Sequence, residues 1–131
     1  MTYEATTRGI SVSVTPEFLE GDSAPLRDHY FWAYAVEIHN LSREKVQLVS
    51  RHWRITDALG RTQEVRGAGV VGEQPVLEPG ETFRDTSGAP LRTPSGIMHG
   101  WYTMETEDGE TFDVEIPAFS LDSPYSAQRL N

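Results

Sequence analysis

Apolar and polar residues alternate along most of this chain, which is the two-residue period of a strand with one buried face. Near the start, Ile10, Val12 and Val14 alternate with serine and threonine, and Pro16 is expected to end this first strand. Residues 17–27 are polar and contain glycine and proline, so they are expected to form a loop.

The strongest apolar pattern covers residues 30–40. Trp32, Tyr34, Val36 and Ile38 share one parity within it, so they would lie on one face of a strand. The first half of the segment is apolar on both faces, which is typical of a strand that is covered on two sides. The sequence therefore predicts a central strand with these four side chains buried.

A second long apolar segment changes phase partway along. Apolar residues fall on even positions as far as Leu48 and on odd positions at Trp53 and Ile55. One inserted residue turns every later side chain to the other face of a strand. The change of parity therefore predicts a β-bulge near Val49 or Ser50.

Shorter strands are expected over residues 62–66 and 83–86, and residues 87–96 are expected to form a long irregular crossing because they hold several glycines and prolines. The last unit is predicted to be a hairpin. Its turn is Asp108-Gly109, a pair that accepts the positive φ values of a type I′ bend. Pro117 is expected to end the second strand of this hairpin.

No segment has the period of an amphipathic helix, and turn residues separate about seven short strands. The sequence therefore predicts an all-β fold, an antiparallel two-sheet β-sandwich of the immunoglobulin or fibronectin type III kind. At 131 residues the chain is expected to form a single domain. Its core would span residues 9–121, with Phe119 and Leu121 against the core and a mobile tail over residues 122–131.

Composition narrows the function classes. The chain has no cysteine, which excludes disulfides, thiolate metal sites and cysteine nucleophiles. Its formal net charge of -9 repels a phosphate backbone, so a nucleic-acid partner is not expected. No apolar run approaches the roughly 20 residues of a membrane helix, and the start lacks the pattern of a secretory signal. We expect a cytoplasmic location and no membrane partner.

The glycines of residues 64–75 have the G-x-G-x-x-G spacing that brings backbone close to a pyrophosphate in dinucleotide-binding folds. That site requires a helix after the third glycine, and Pro75 argues against one here. A glycine-rich loop with exposed N–H groups remains possible as an anion site. The hypothetical ligand-binding set consists of Gly67, Gly69, Gly72, Arg54, Arg66 and Arg84.

Seven sequence blocks together resemble one known family. They are residues 52–57 (HWRITD), 64–67 (EVRG), 69–75 (GVVGEQP), 79–80 (PG), 86–88 (TSG), 94–96 (PSG) and 112–119 (FDVEIPAF). In this order they resemble the ApaG family of small bacterial proteins. The resemblance implies a fibronectin type III-like sandwich, and it associates the chain with diadenosine polyphosphate metabolism and with cobalt or magnesium homeostasis. It implies no catalytic residues.

Other candidate chemistry is weaker. Four histidines, His29, His39, His52 and His99, do not form the clustered pairs that are typical of metal sites, and only Glu37 and His39 share a strand face at close spacing. No G-x-S-x-G nucleophile motif is present. We therefore expect no enzyme, no metal and no cofactor. The favoured function is a protein–protein interaction or accessory module with a protein partner, and the alternative is a binder of pyrophosphate or nucleoside polyphosphate, or an accessory factor for divalent cations.

Overall fold

The computed structural model describes residues 1–70 and 72–126, and over these residues the chain forms nine strands and two short 3₁₀ turns. The strands are β1 (Tyr3–Thr7), β2 (Ile10–Phe18), β3 (Tyr30–Asn40), β4 (Val46–Asp57), β5 (Thr62–Ala68), β6 (Val76–Leu77), β7 (Thr82–Leu91), β8 (Gly96–Thr106) and β9 (Thr111–Leu121). The 3₁₀ turns are Glu20–Asp22 and Pro25–Arg27.

Two antiparallel sheets form a β-sandwich. The first sheet has the order β1-β2-β3-β7, and the second has the order β5-β4-β8-β9 with β6 also paired to β4. The predicted all-β, two-sheet class is therefore confirmed. Over the described part of the chain, no helix is long and apolar enough to cross a membrane.

The core lies between the inner faces of the two sheets. The predicted inner face of β3 is correct, since Trp32, Tyr34, Val36 and Ile38 are at most 8% exposed. β3 pairs with β2 on one side and with β7 on the other, as expected of a central strand. Aromatic side chains of both sheets meet in this core: the rings of Tyr34 and Trp53 lie 5.3 Å apart, edge to face.

The predicted bulge in β4 is present. Along the pairing with β8, the register shifts between Leu48 and Ser50, so that Val49 is the additional residue. As a result Leu48 before the shift and Trp53 and Ile55 after it are all buried in the same core. One inserted residue thus converts a broken alternation into a continuous apolar face.

Pro16 does not end the first strand, contrary to expectation, because β2 continues to Phe18. The neighbouring strand β1 pairs with β2 only as far as Val14. Beyond that point β2 is an edge, where the missing N–H of proline leaves no ladder hydrogen bond unmade.

Two other expectations about strand ends are wrong for related reasons. Residues 87–91 are not irregular, since β7 runs to Leu91 along β3 and tolerates Pro90 because it is an edge strand. Pro117 does not end β9, because it lies where the register with β8 shifts between Met98 and Gly100. A proline is accommodated at such a bulge.

The turn of the last hairpin is not type I′. Gly109 has φ +85°, whereas Asp108 is not among the residues with positive φ. The N–H of Gly109 donates to the carbonyl of Thr106, at 3.0 Å. Four residues, 107–110, therefore connect the strands, and glycine occupies the single left-handed position.

Both ends of the chain contribute to the sandwich beyond the expected core of residues 9–121. β1 adds an edge strand to the first sheet. In the expected tail, the indole N–H of Trp32 donates to the carbonyl of Asp122 at 2.8 Å, and the hydroxyl of Ser123 donates to the carbonyl of Pro94 at 2.7 Å. Residues 127–131 lie outside the described residues.

Replacing the core indole tests the assigned inner face. Trp32 is 1% exposed, so Trp32→Ala should lower the free energy of unfolding by about 3–5 kcal/mol. The half-buried Trp101 is the matched control, and its change to alanine should cost about 1 kcal/mol, the worth of an aromatic pair. Urea unfolding of the three proteins measures both values. Equal losses in the two variants would show that the inner face is assigned wrongly.

Candidate functional site

The glycine-rich segment is a tight turn attached to β4. Val70 and Glu73 exchange both of their backbone hydrogen bonds, at 2.7 and 3.0 Å. Gly69 and Gly72 have φ +59° and +82°, in the left-handed region that favours glycine. A Cβ on Gly69 would collide with the Glu73 backbone carbonyl. These glycines are therefore required by the chain's own geometry.

No helix follows the third glycine. Over the described residues after Gly72, the chain continues through the bridge at Glu73 into the two-residue strand β6. The segment accordingly lacks the helix dipole that concentrates positive potential on a pyrophosphate in dinucleotide-binding folds.

The bulge in β4 holds the glycine segment in place. The carbonyl oxygen of Val49 accepts hydrogen bonds from the N–H of Gly69 at 2.8 Å and from the amide side chain of Gln74 at 2.9 Å. The carbonyl of Pro75 accepts from the N–H of Leu48 at 3.0 Å. Val49, the residue that the bulge inserts, accepts two of these three hydrogen bonds. The bulge and the glycine segment therefore form one structural unit.

Arg51 also fastens this segment, and sequence reasoning missed it. Its Nη1 donates to the carbonyls of Ala68 at 3.3 Å and Gly69 at 3.0 Å. The guanidinium lies so close to Gly67 that a Cβ there would be 2.9 Å from Cζ. Gly67, which has no positive φ, is thus needed for space. The sequence does contain a sign of this position. Arg51 lies two residues before the buried Trp53, so both side chains are on the same, inner face of β4.

The three predicted arginines do not converge on the glycine segment. Arg54 Nε and Arg66 Nη2 each lie 3.3 Å from a carboxylate oxygen of Glu64. Arg84 belongs to β7 in the other sheet, where its Nε lies 3.3 Å from Glu37. Each cation already faces a carboxylate of its own sheet, which leaves less positive charge for a polyphosphate.

The carboxylate of Glu37 therefore accepts hydrogen bonds from Arg84. In the sequence, His39 was the residue on the same strand face with which Glu37 could have shared a metal ion. Within residues 1–70 and 72–126, no group of three histidine, aspartate or glutamate side chains is placed to hold a metal ion.

The outer face of the second sheet carries one row of side chains that crosses four of its five strands, β5, β4, β8 and β9. Pairing registers place Arg66 beside His52, His52 beside Trp101, and Trp101 beside Glu115. We call these four residues the outer row. It runs from a cation on β5, through two rings, to a carboxylate on β9.

The two rings at the centre of the outer row are in close contact, tilted by 39° to each other. The centroids of His52 and Trp101 are 4.1 Å apart. The His52 Nε2 atom is shielded from solvent and has no hydrogen-bond partner among the described residues, while the nearest oxygen of Glu64 lies 3.6 Å away. Burying a polar atom without a hydrogen-bond partner costs free energy. The position of the His52 ring is therefore stabilised by its packing against Trp101 and not by a hydrogen bond of Nε2.

A shallow groove of about 450 Å³ lies beside Trp101. It is lined by Gly100, Trp101, Ile116 and Ala118 and by the acidic residues Asp113 and Glu115. Gly100 cannot be larger, because a Cβ there would collide with the carbonyl of His52. The absence of a side chain at position 100 lets β4 and β8 approach closely.

A cleft of about 220 Å³ separates the sheets on the side where β5 and β7 form their edges. We call it the inter-sheet cleft. Its polar wall residues are Tyr34, Arg51, Gln63, Asp85, Ser87 and Tyr102.

Comparison with known proteins gives the family. The ApaG domain family model matches residues 20–106. A protein named ApaG from Methylobacterium sp. (strain 4-46) is 65% identical over 123 residues, which cover 94% of this chain and 95% of that protein. Protein ApaG from Paramagnetospirillum magneticum is 60% identical over 129 residues, covering 98% and 99% of the two chains.

Solved structures agree with this assignment. A crystal structure from Bordetella pertussis, described as an ApaA protein, is similar with a TM-score of 0.86 at 50% identity and covers 88% of this chain and 94% of its own. The sequence blocks, the sandwich and these relatives lead to one conclusion: the chain belongs to the ApaG family.

Proposed function

We propose that this protein is a non-catalytic interaction module that binds a partner protein across the outer row. One observation carries the proposal: a half-buried tryptophan, packed against His52, lies at the centre of an open sheet face between a cation and a carboxylate. Protein interfaces have this anatomy, with an aromatic anchor inside a charged rim.

Trp101 has the properties of a binding hot spot. Tryptophan is enriched among residues that dominate binding energy, and such residues lie near the centre of the contact area. The His52 ring fixes the indole from one side, so little side-chain entropy remains to be lost on binding. The groove next to it offers a place for an apolar side chain.

The charges of the outer row specify the partner's chemistry. Arg66 on β5 pairs with Glu64 but its side chain is 71% exposed, so it favours a single acidic group, whereas Glu115 on β9 and its neighbour Asp113 favour a basic one. A complementary partner therefore presents an acidic residue, an apolar residue and a lysine or arginine, in that order across the strands. Complementary charges at a rim contribute mainly to specificity and to the rate of association.

Nucleoside polyphosphate binding, the alternative function, has less support. Several cations must converge to offset the charge of a polyphosphate. Arg54 and Arg66 share Glu64, and Arg84 faces Glu37 on the other sheet. Glu64 and Glu73 add negative charge on both sides of the glycines.

Truncation of the anchor is expected to weaken partner binding. A photo-crosslinking residue at the exposed position 99, beside Trp101 in the groove, should capture the partner from a cell extract, and the partner's affinity is then measured by calorimetry with purified proteins. Trp101→Ala should weaken binding at least tenfold, since hot-spot truncations cost about 2 kcal/mol or more. The matched control is Thr86→Ala on the outer face of the first sheet, which should stay within about twofold. Equal affinity for both variants, or equal capture from positions 86 and 99, would contradict the proposal.

Diadenosine tetraphosphate should be neither hydrolysed nor bound at physiological salt. The glycine segment has no following helix, Arg54 and Arg66 are paired with Glu64, and Arg51 alone is too little positive charge to offset a polyphosphate. Calorimetric titration measures binding, and chromatography of the nucleotide measures hydrolysis, in the native protein beside Arg66→Ala. Micromolar binding by the native protein that disappears in Arg66→Ala would favour the polyphosphate function instead.

A further inference from the structure

The sandwich is closed along one side and open along the other. On the closed side, the N–H of Glu115 in β9 donates to the hydroxyl of Thr7 in β1, at 3.1 Å. On the open side, β5 and β7 are the edges of their sheets, and the inter-sheet cleft lies between them. This side therefore gives solvent access to inward-pointing side chains.

Two opposite charges face this cleft without forming an ion pair. Arg51 comes from β4 and Asp85 from β7. Among the described residues, no carboxylate oxygen lies within 4.0 Å of an Arg51 nitrogen, and no cation lies that close to Asp85. Charges that face the space between two sheets are costly unless they find partners. Each charge therefore stays available to a ligand in the cleft that carries the complementary charge.

The guanidinium of Arg51 retains donors for a ligand. Only its Nη1 is engaged with described residues, at the carbonyls of Ala68 and Gly69. A guanidinium has five N–H donors in a planar fork. The bonds to the glycine segment therefore account for only some of the Arg51 donors. They do not explain why a carboxylate, Asp85, lies on the opposite wall of the cleft.

Two phenols lie near both charges. Burial raises the pKa of Tyr34, and burial also raises the pKa of Tyr102 well above its usual range. For each phenol, Arg51 opposes this rise and Asp85 adds to it. Both hydroxyls therefore stay protonated at neutral pH, and the hydroxyl of Tyr34 interacts with Ser87. Ser87 adds a third hydroxyl to the same wall.

The volume and the apolar wall of the inter-sheet cleft limit the kinds of ligand that it can bind. A cavity of about 220 Å³ has the volume of roughly seven water molecules, which is below the range of sites for drug-sized ligands. A dinucleotide is far too large for it. Val65, Val70 and Ala89 supply an apolar wall next to the charged groups. The site therefore suits a small molecule with two opposite charges and an apolar part.

We propose that the inter-sheet cleft binds a free α-amino acid with an apolar side chain. Arg51 holds the carboxylate, Asp85 holds the ammonium group, and the side chain packs against Val65 and Val70. A carboxylate on a guanidinium is a charge-assisted contact with favourable geometry. The proposal does not depend on partner binding at the outer row, because the two sites lie on opposite faces of the second sheet.

Titration followed by ¹H–¹⁵N NMR tests the site. L-Leucine and L-phenylalanine, added to millimolar concentrations, should shift the amide signals of Val65 and Asp85 and leave those of Trp101 and Glu115 unchanged. N-acetyl-L-leucine lacks the ammonium group and L-leucinamide lacks the carboxylate. Each analogue should bind at least tenfold more weakly than L-leucine, because each loses a charge-assisted hydrogen bond.

Asp85→Asn removes the carboxylate charge and keeps the shape of the side chain. This variant should also lose at least tenfold in affinity for L-leucine while keeping the spectrum of a folded protein. Glu107→Gln, in the turn between β8 and β9, is the control with the same change of charge and should bind as the native protein does. No shifts with either amino acid would overturn the proposal. It would equally fail if the two analogues bound as tightly as L-leucine, a comparison that needs no variant.

Discussion

The extra residue at Val49 sets the direction of every side chain in the second half of β4. Because successive residues of a strand point to opposite faces, one inserted residue exchanges the two faces beyond it. With the bulge, Trp53 and Ile55 enter the core that Leu48 already occupies. The same exchange turns His52 and Arg54 outward. The apolar core, the outer row and the inward position of Arg51 all depend on this one insertion.

The glycine segment depends on the same position. Val49 presents its carbonyl to Gly69 and to the side chain of Gln74, and Arg51, two residues later, bonds to the carbonyls of the segment from the other side. A spacing that matches a phosphate-binding fingerprint here has a different physical origin. Gly67 makes room for a guanidinium, whereas Gly69 and Gly72 supply left-handed backbone.

Alternation in the sequence was sufficient to predict the sandwich, the buried face of β3 and the bulge, because each is a local consequence of side-chain period. Strand ends were harder to predict. Pro16 and Pro90 lie inside strands because each has no neighbouring strand on one side. Tertiary pairing decides which strands lie at a sheet edge, and the local sequence does not contain this information. The ion pairs could not be predicted from the sequence for the same reason. Arg84 and Glu37 become neighbours only through the register of β3 and β7. Arg51 was recognisable from its parity, but its proximity to Asp85 required the relative position of two sheets.

Deletion of Val49 is the most direct test of this account, measured as the free energy of unfolding in urea. The deletion restores a regular strand and turns either Leu48 or the pair Trp53 and Ile55 out of the core. Burial of such side chains is worth about 2–5 kcal/mol each, so the deletion should abolish cooperative folding. Deletion of Leu59, in the exposed turn between β4 and β5, should leave a cooperative transition. A Val49 deletion that unfolds at the same urea concentration as the native protein would contradict the central role of the bulge.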